Sequence, residues 1–111
     1  MRLGLLLAVL ALGACARHDA APTELDHMAS RCKVASDAVR AAAVEDPALV
    51  EAQVNRLAAC TDACDSKDAA SCAELEDQVA RMCATSTAAC KGLCDPAKPS
   101  SLSAAACKRA N

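Results

Sequence analysis

Leu25, Met28, Cys32, Ala35, Val39 and Ala42 recur at alternating steps of three and four residues. That spacing places them on one stripe of an amphipathic helix. Thr23 stands just before the run, with Pro22 ahead of it and Asp26 three residues on. A hydroxyl at the cap position and a carboxylate three residues later predict a helix start. Asp46-Pro47 predicts the end of this helix and the start of the next, because Asp caps well and proline suits a first helical position. The second helix is expected over 47–64, with Val50, Val54, Leu57 and Cys64 on its inner face. Asp65-Ser66-Lys67-Asp68 predicts a polar turn. A third helix then runs to about residue 84, turning Cys72, Leu75, Val79 and either Met82 or Cys83 inward. Thr85-Ser86-Thr87 predicts a break, and a short fourth helix over 88–93 ends near Gly92 and Cys94-Asp95-Pro96. Pro96 and Pro99 bracket a loop, and the tail over 102–111 adds a further turn or two. No segment alternates with the period of two that marks a half-buried strand. The expected fold class is all-α, a small bundle of three to five short helices.

Composition shows how thin that bundle's core is. The chain has 111 residues, of which 54% count as hydrophobic, but 29 of these are alanine and nine are cysteine. From Cys15 onward only fourteen Leu, Val or Met residues occur, without a single Ile or aromatic ring. Such a length holds one domain, and such a core is poor for that length. Cross-links answer the deficit, since a disulfide typically stabilises by about 2–4 kcal/mol. The same composition removes function classes. Nucleic acid is not an expected partner: there are no aromatic stacking platforms, and the formal net charge is −2. Gly92 is the only glycine after residue 14, which leaves no Gly-rich phosphate cradle.

The N-terminus reads as an address. Arg2 precedes the uncharged run LGLLLAVLAL at 3–12. Ten apolar residues are too few for a membrane span, which needs about 20, but they suit the h-region of a secretory signal peptide. The residues Leu12-Gly13-Ala14-Cys15 then resemble the lipobox of bacterial lipoproteins. That resemblance covers residues 1–15. It implies cleavage before Cys15, lipid on the Cys15 thiol and further acylation, including palmitate, at the new amine. Membrane attachment through Cys15 is the expected partnership. Ala16 stands where an Asp is the family's usual inner-membrane retention signal, so the resemblance implies the outer membrane, facing the periplasm or the cell surface. The plainer reading of the same residues is an ordinary cleaved signal peptide. The expected organisation is a signal peptide over 1–14, a lipid-proximal tether over 15–22 and a cysteine-rich helical domain over 23–111.

Cysteine parity bears on this directly. Nine is odd, and an odd cysteine in an exported protein calls for an explanation. With lipid on Cys15, eight remain: Cys32, Cys60, Cys64, Cys72, Cys83, Cys90, Cys94 and Cys107. All eight are expected in disulfides, which persist in an oxidising compartment. Cys32 lies fourteen residues before Asp46 and Cys60 fourteen after it, so an antiparallel hairpin sets them level. Cys64 and Cys72 flank the polar turn, Cys83 and Cys90 the Thr-Ser-Thr break, and Cys94 and Cys107 the proline loop. Pairing in order therefore staples each junction. A rival ladder, Cys60–Cys94, Cys64–Cys90 and Cys72–Cys83, shares one midpoint near residue 77, as in twin Cys-x3-Cys proteins. It requires a turn within AELEDQVARM, a segment with neither Gly nor Pro. Separately, ACDSKDAASCAELE at 63–76 resembles the repeat junction of cysteine-rich Sel-like helical repeat proteins. Cys64, Cys72 and Leu75 match that junction, while the family's aromatic positions are absent and Glu76 stands where Gly is usual. The resemblance implies a Cys64–Cys72 bridge and a helical interaction scaffold.

Chemistry-bearing groups are few. His18 falls in the tether and His27 in the first turn of the first helix, both expected at the surface. No nucleophile elbow, zinc-protease motif or Cys-x-x-Cys redox pair occurs. Glu74, Glu76 and Asp77 crowd one helix and read as a wetted face. The chain is thus not expected to be an enzyme or to carry a cofactor. The expected role is structural or protein-binding, exercised from a lipid anchor in the cell envelope. The alternative is binding or storage of Cu(I) or another soft metal. Cys60/Cys64 and Cys90/Cys94 are i, i+4 pairs, each on one helix face, and are similar to the Cys-x3-Cys pairs of four-helix copper-storage proteins.

Overall fold

A computed structural model describes residues 22–110. Among them are five helices and no strands: α1 (Glu24–Ala41), α2 (Ala48–Asp65), α3 (Ala69–Thr85), α4 (Thr87–Leu93) and α5 (Ser101–Ala110). The fold is a small all-α bundle closed by four disulfides. The signal-peptide and lipid-site expectations at 1–14 and Cys15, together with His18 and most of the tether, lie outside the described residues.

Local chemistry sets the helix ends. Thr23 Oγ1 accepts from the Asp26 N–H, and the Asp26 carboxylate accepts from the Thr23 N–H, which is a complete capping box. Donation from the Thr23 N–H is the main cause that holds the Asp26 carboxyl below its ordinary pKa. Helix α1 stops at Ala41, five residues before Asp46. Ala42 turns extended, and the chain closes a turn in which the Asp46 N–H donates to the Ala43 carbonyl. Asp46 still serves the next helix, since its carboxylate accepts from the Ala48 N–H. At the end of α2 the Lys67 N–H donates to Cys64 O and the Asp68 N–H to Ala63 O. This is a Schellman closure, with Lys67 at φ 76° where glycine is the usual residue. Asp68 then caps α3. Ser86 ends α3 and starts α4 at once: its N–H donates to Met82 O, and its Oγ accepts from the Ala89 N–H.

Helix α2 lies between α1 and α3, and α5 packs on α3 and α4. The core is small. Val39, Leu57, Leu75 and Val79 are the aliphatic side chains larger than alanine that are buried, beside Cys32, Cys60, Cys64, Cys90, Ala63, Ala105 and Ala106. Val50 and Val54, expected on the inner face of α2, are 66% and 59% exposed. The buried face of α2 is rotated away from them and consists of Arg56, Leu57, Cys60, Ala63 and Cys64. The cause is covalent as well as hydrophobic. Cys60 and Cys64 must aim at α1 and α3, and a helix offers only one such face.

Those two cysteines share a face but not a partner. Cys60 bonds back to Cys32 on α1, and Cys64 bonds forward to Cys72 on α3, with Cα atoms 4.5 and 4.6 Å apart. Cys83–Cys90 joins α3 to α4, and Cys94–Cys107 joins the end of α4 to α5. The bridges therefore run in chain order, one at each junction between helices. At the same corner Asp65 Oδ1 accepts from both the N–H and the hydroxyl of Ser101, which ties the end of α2 to the start of α5.

Candidate functional site

Two features stand out among the described residues: a buried arginine cluster and an open groove. The cluster is built on Arg56, which is 1% exposed. Arg56 lies one turn before Cys60, so the Cys32–Cys60 bridge that pulls Cys60 inward carries Arg56 in with it. Its Nε donates to Ser36 Oγ on α1 at 3.0 Å. Its Nη1 donates to Gln78 Oε1 on α3 at 2.9 Å, and its Nη2 to Glu74 Oε2 at 2.5 Å and Asp77 Oδ2 at 3.1 Å. Arg40 of α1 reaches across to grip both Glu74 oxygens, and Arg81 holds Asp77 at 3.0 Å. Asp37 bonds Arg40 in turn. Three arginines thus face three carboxylates, and one guanidinium ties together three helices. A buried cation without such partners would cost several kcal/mol.

The charges also show what this cluster can do. Burial pushes the Glu74 carboxyl up, but hydrogen bonds from Arg56, Arg40 and Ser36 outweigh it and hold the group at about 2. Asp77 follows the same pattern, with burial opposed by Arg81 and Arg56, and also ends below its ordinary value. Carboxylates held ionised in this way are unsuited to proton transfer near neutral pH. They are structural counter-ions. Their pKa values fall on folding, so their stabilisation is complete above the unfolded values, near 4.5 for Glu74 and 3.8 for Asp77, and is lost as pH falls below these, for Glu74 towards 2. The urea midpoint should therefore drop steeply between about pH 4.5 and pH 2. Glu74→Gln should start lower and show a flatter slope over the same interval, with Asp77 and Asp26 supplying slope that remains. An identical slope in the variant would remove Glu74 from this role.

The groove lies between α1 and α2, on the side away from α3. It encloses about 660 Å³. Ala35, Ala38, Ala52, Ala58 and Ala59 make its floor, and Val34, 65% exposed, stands on its wall. Arg31 and Asp62 flank one end, and Glu51 lies towards the other. A smaller depression of about 490 Å³ between α1 and α3 is edged by Lys33, Arg40 and Glu74; most of its charged groups already pair with one another.

The eight domain cysteines come together as four pairs and not as a cluster of thiols. Cu(I) binding by Cys60/Cys64 or Cys90/Cys94 would require these S–S bonds to be reduced first, because the ligand is a thiolate. His27 is exposed on the first turn of α1. No group of three or more His, Cys, Asp or Glu residues is placed to hold a metal ion among the described residues. No described helix is long and apolar enough to cross a membrane. The acidic trio, read from sequence as a wetted face, divides into functions: Glu74 and Asp77 serve the arginine cluster, and Glu76 faces Lys108 and Arg109 of α5. Sequence reasoning missed Arg56, Ser36 and Gln78. A signal was present, since Ser36 lies four residues after Cys32, Arg56 four before Cys60 and Gln78 three after Leu75. No known protein family, curated protein or solved structure matches the chain.

Proposed function

We propose that this chain is a lipid-anchored lipoprotein of the bacterial cell envelope whose stapled helical domain serves as a protein-interaction scaffold at the membrane surface. Cysteine arithmetic carries the reading. Four bridges take up eight of nine cysteines, and the ninth, Cys15, ends the lipobox-like Leu12-Gly13-Ala14-Cys15. Four disulfides in so short a chain suit an oxidising compartment. More than one acyl chain at Cys15 would give stable anchoring rather than reversible binding. For the domain's role, the arginine cluster offers no free catalytic group, whereas the α1–α2 groove offers an open, mostly apolar surface.

The test is metabolic labelling with palmitate in a bacterial host. The wild-type chain should incorporate label, shorten by fourteen residues and fractionate with membranes. Cys15→Ser should take up no label and accumulate uncut. Normal processing and membrane retention of that variant would overturn the proposal.

A further inference from the structure

We infer that the α1–α2 groove seats a second copy of this chain, docked about a twofold axis that runs along the groove. The inference rests on the scaffold reading above and names its partner. Helix α2 is covered by α1 and α3, but nothing covers the outer side of the α1–α2 hairpin among the described residues. Its alanine floor allows helix axes to approach closely, towards the lower end of the usual 8–10 Å spacing.

Charge selects the occupant and its orientation. The Cys32–Cys60 bridge fixes the level of the two helices. Arg31 is next to Cys32 and Asp62 two residues past Cys60, so the two stand level on opposite flanks of the groove. They make no ion pair with each other in one chain. Asp62 has no salt bridge among the described residues, and Arg31 only an exposed, long one to Glu24 at 3.7 Å. A twofold axis along the groove exchanges left for right at constant level. It sets Arg31 of each copy against Asp62 of the other, twice over, as an isologous interface requires. It also lays α1 beside α2 of the second copy, so every neighbour in the resulting four-helix bundle is antiparallel. The apolar wall residue Val34 then meets the alanine floor of the second copy. The same axis puts both copies' Thr23 at one end of the bundle, so two tethers lead towards one bilayer.

The experiment measures the mass of the full chain purified in detergent, by light scattering corrected for bound detergent. The wild type should carry two chains per particle. Arg31→Asp and Asp62→Arg should each weaken association on the order of tenfold or more, since each reverses two symmetry-related pairs. The double variant, Arg31→Asp with Asp62→Arg, should restore the dimer. Both side chains are exposed, so helix content should not change in any of the three, while the melts of the single variants should lose only what dimerisation adds. Two lipid anchors sharing one micelle would mimic a dimer, but the single variants keep the lipid and would then remain paired. A monomeric wild type, or a dimer indifferent to both single variants, overturns the inference, as does a monomer that takes up a different protein in this groove. Palmitate label read on the same samples separates the two proposals. A chain without lipid that still dimerises in the charge-dependent way leaves the groove assignment standing and sinks the anchor; a lipidated monomer does the reverse.

Discussion

Arg56→Ala should lower the stability of the disulfide-intact domain by about 3–5 kcal/mol, the usual effect of removing one member of a buried ion pair. The loss has several sources. Gln78 is fully buried, and its Nε2 already lacks a partner; without Arg56 its Oε1 is orphaned as well. Ser36, also fully buried, loses the donor to its hydroxyl. Glu74 and Asp77 lose the cation that lies between them, and a cavity opens where the guanidinium stem lay. Arg56→Lys tests geometry apart from charge. An ammonium is one compact group and cannot span Ser36, Gln78, Glu74 and Asp77 as the planar fork does, so about 1–3 kcal/mol should still be lost. Arg56→Met, which fills most of the volume, should fall between the alanine variant and the wild type. Urea denaturation at pH 7 without reductant would measure all three. An alanine variant within 1 kcal/mol of wild type would show that the cluster is dispensable to the fold.

Complete reduction should have the largest effect of all. The bridges close spans of 28, 8, 7 and 13 residues. On a chain-entropy estimate they contribute together on the order of 10 kcal/mol, the longest span the most. A domain's whole stability is about 5–15 kcal/mol, and four buried aliphatic side chains larger than alanine leave little to replace the bridges. The reduced chain should therefore lose its cooperative melt while keeping much of its far-UV helix signal, because alanine has the highest helix propensity. Circular dichroism melts with and without reductant, with thiols blocked after reduction, would decide. A sharp and unshifted transition in the fully reduced chain would show that packing suffices and that the cysteines serve something other than stability.

The helix boundaries set by side-chain caps were legible because they depend on local chemistry, whereas the end of α1 at Ala41, five residues before Asp46, has no such marker. Thr23 with Asp26, the Asp65–Asp68 turn and Ser86 each act through their own backbone neighbours, so spacing alone reveals them. The facing of α2 was not legible from hydropathy. Val50 and Val54 continue an apolar period that the folded chain leaves in solvent, while Arg56 scores as surface and is buried. Hydropathy weighs each residue by its own transfer energy. Burial of Arg56 depends instead on acceptors brought from α1 and α3, which are distant in sequence. The in-order bridges were legible as the simpler of two geometries, since the ladder required a turn inside α3. The groove was not, because alanine marks a helix without marking which of its faces is covered.

The in-order bridging has a kinetic consequence. No span crosses or encloses another: 32–60 closes before 64–72 begins, then 83–90, then 94–107. A chain threaded into an oxidising compartment from its N-terminus presents Cys32 and then Cys60, and each later cysteine first meets the partner it keeps. The one residue that would spoil this sequence is Cys15, which emerges first and could capture Cys32. Diacylglyceryl attachment to the Cys15 sulfur would remove that competitor. Under the reading proposed here, then, the lipid is also a protecting group, and a simple thiol oxidase could complete the native pairing without an isomerase to correct it.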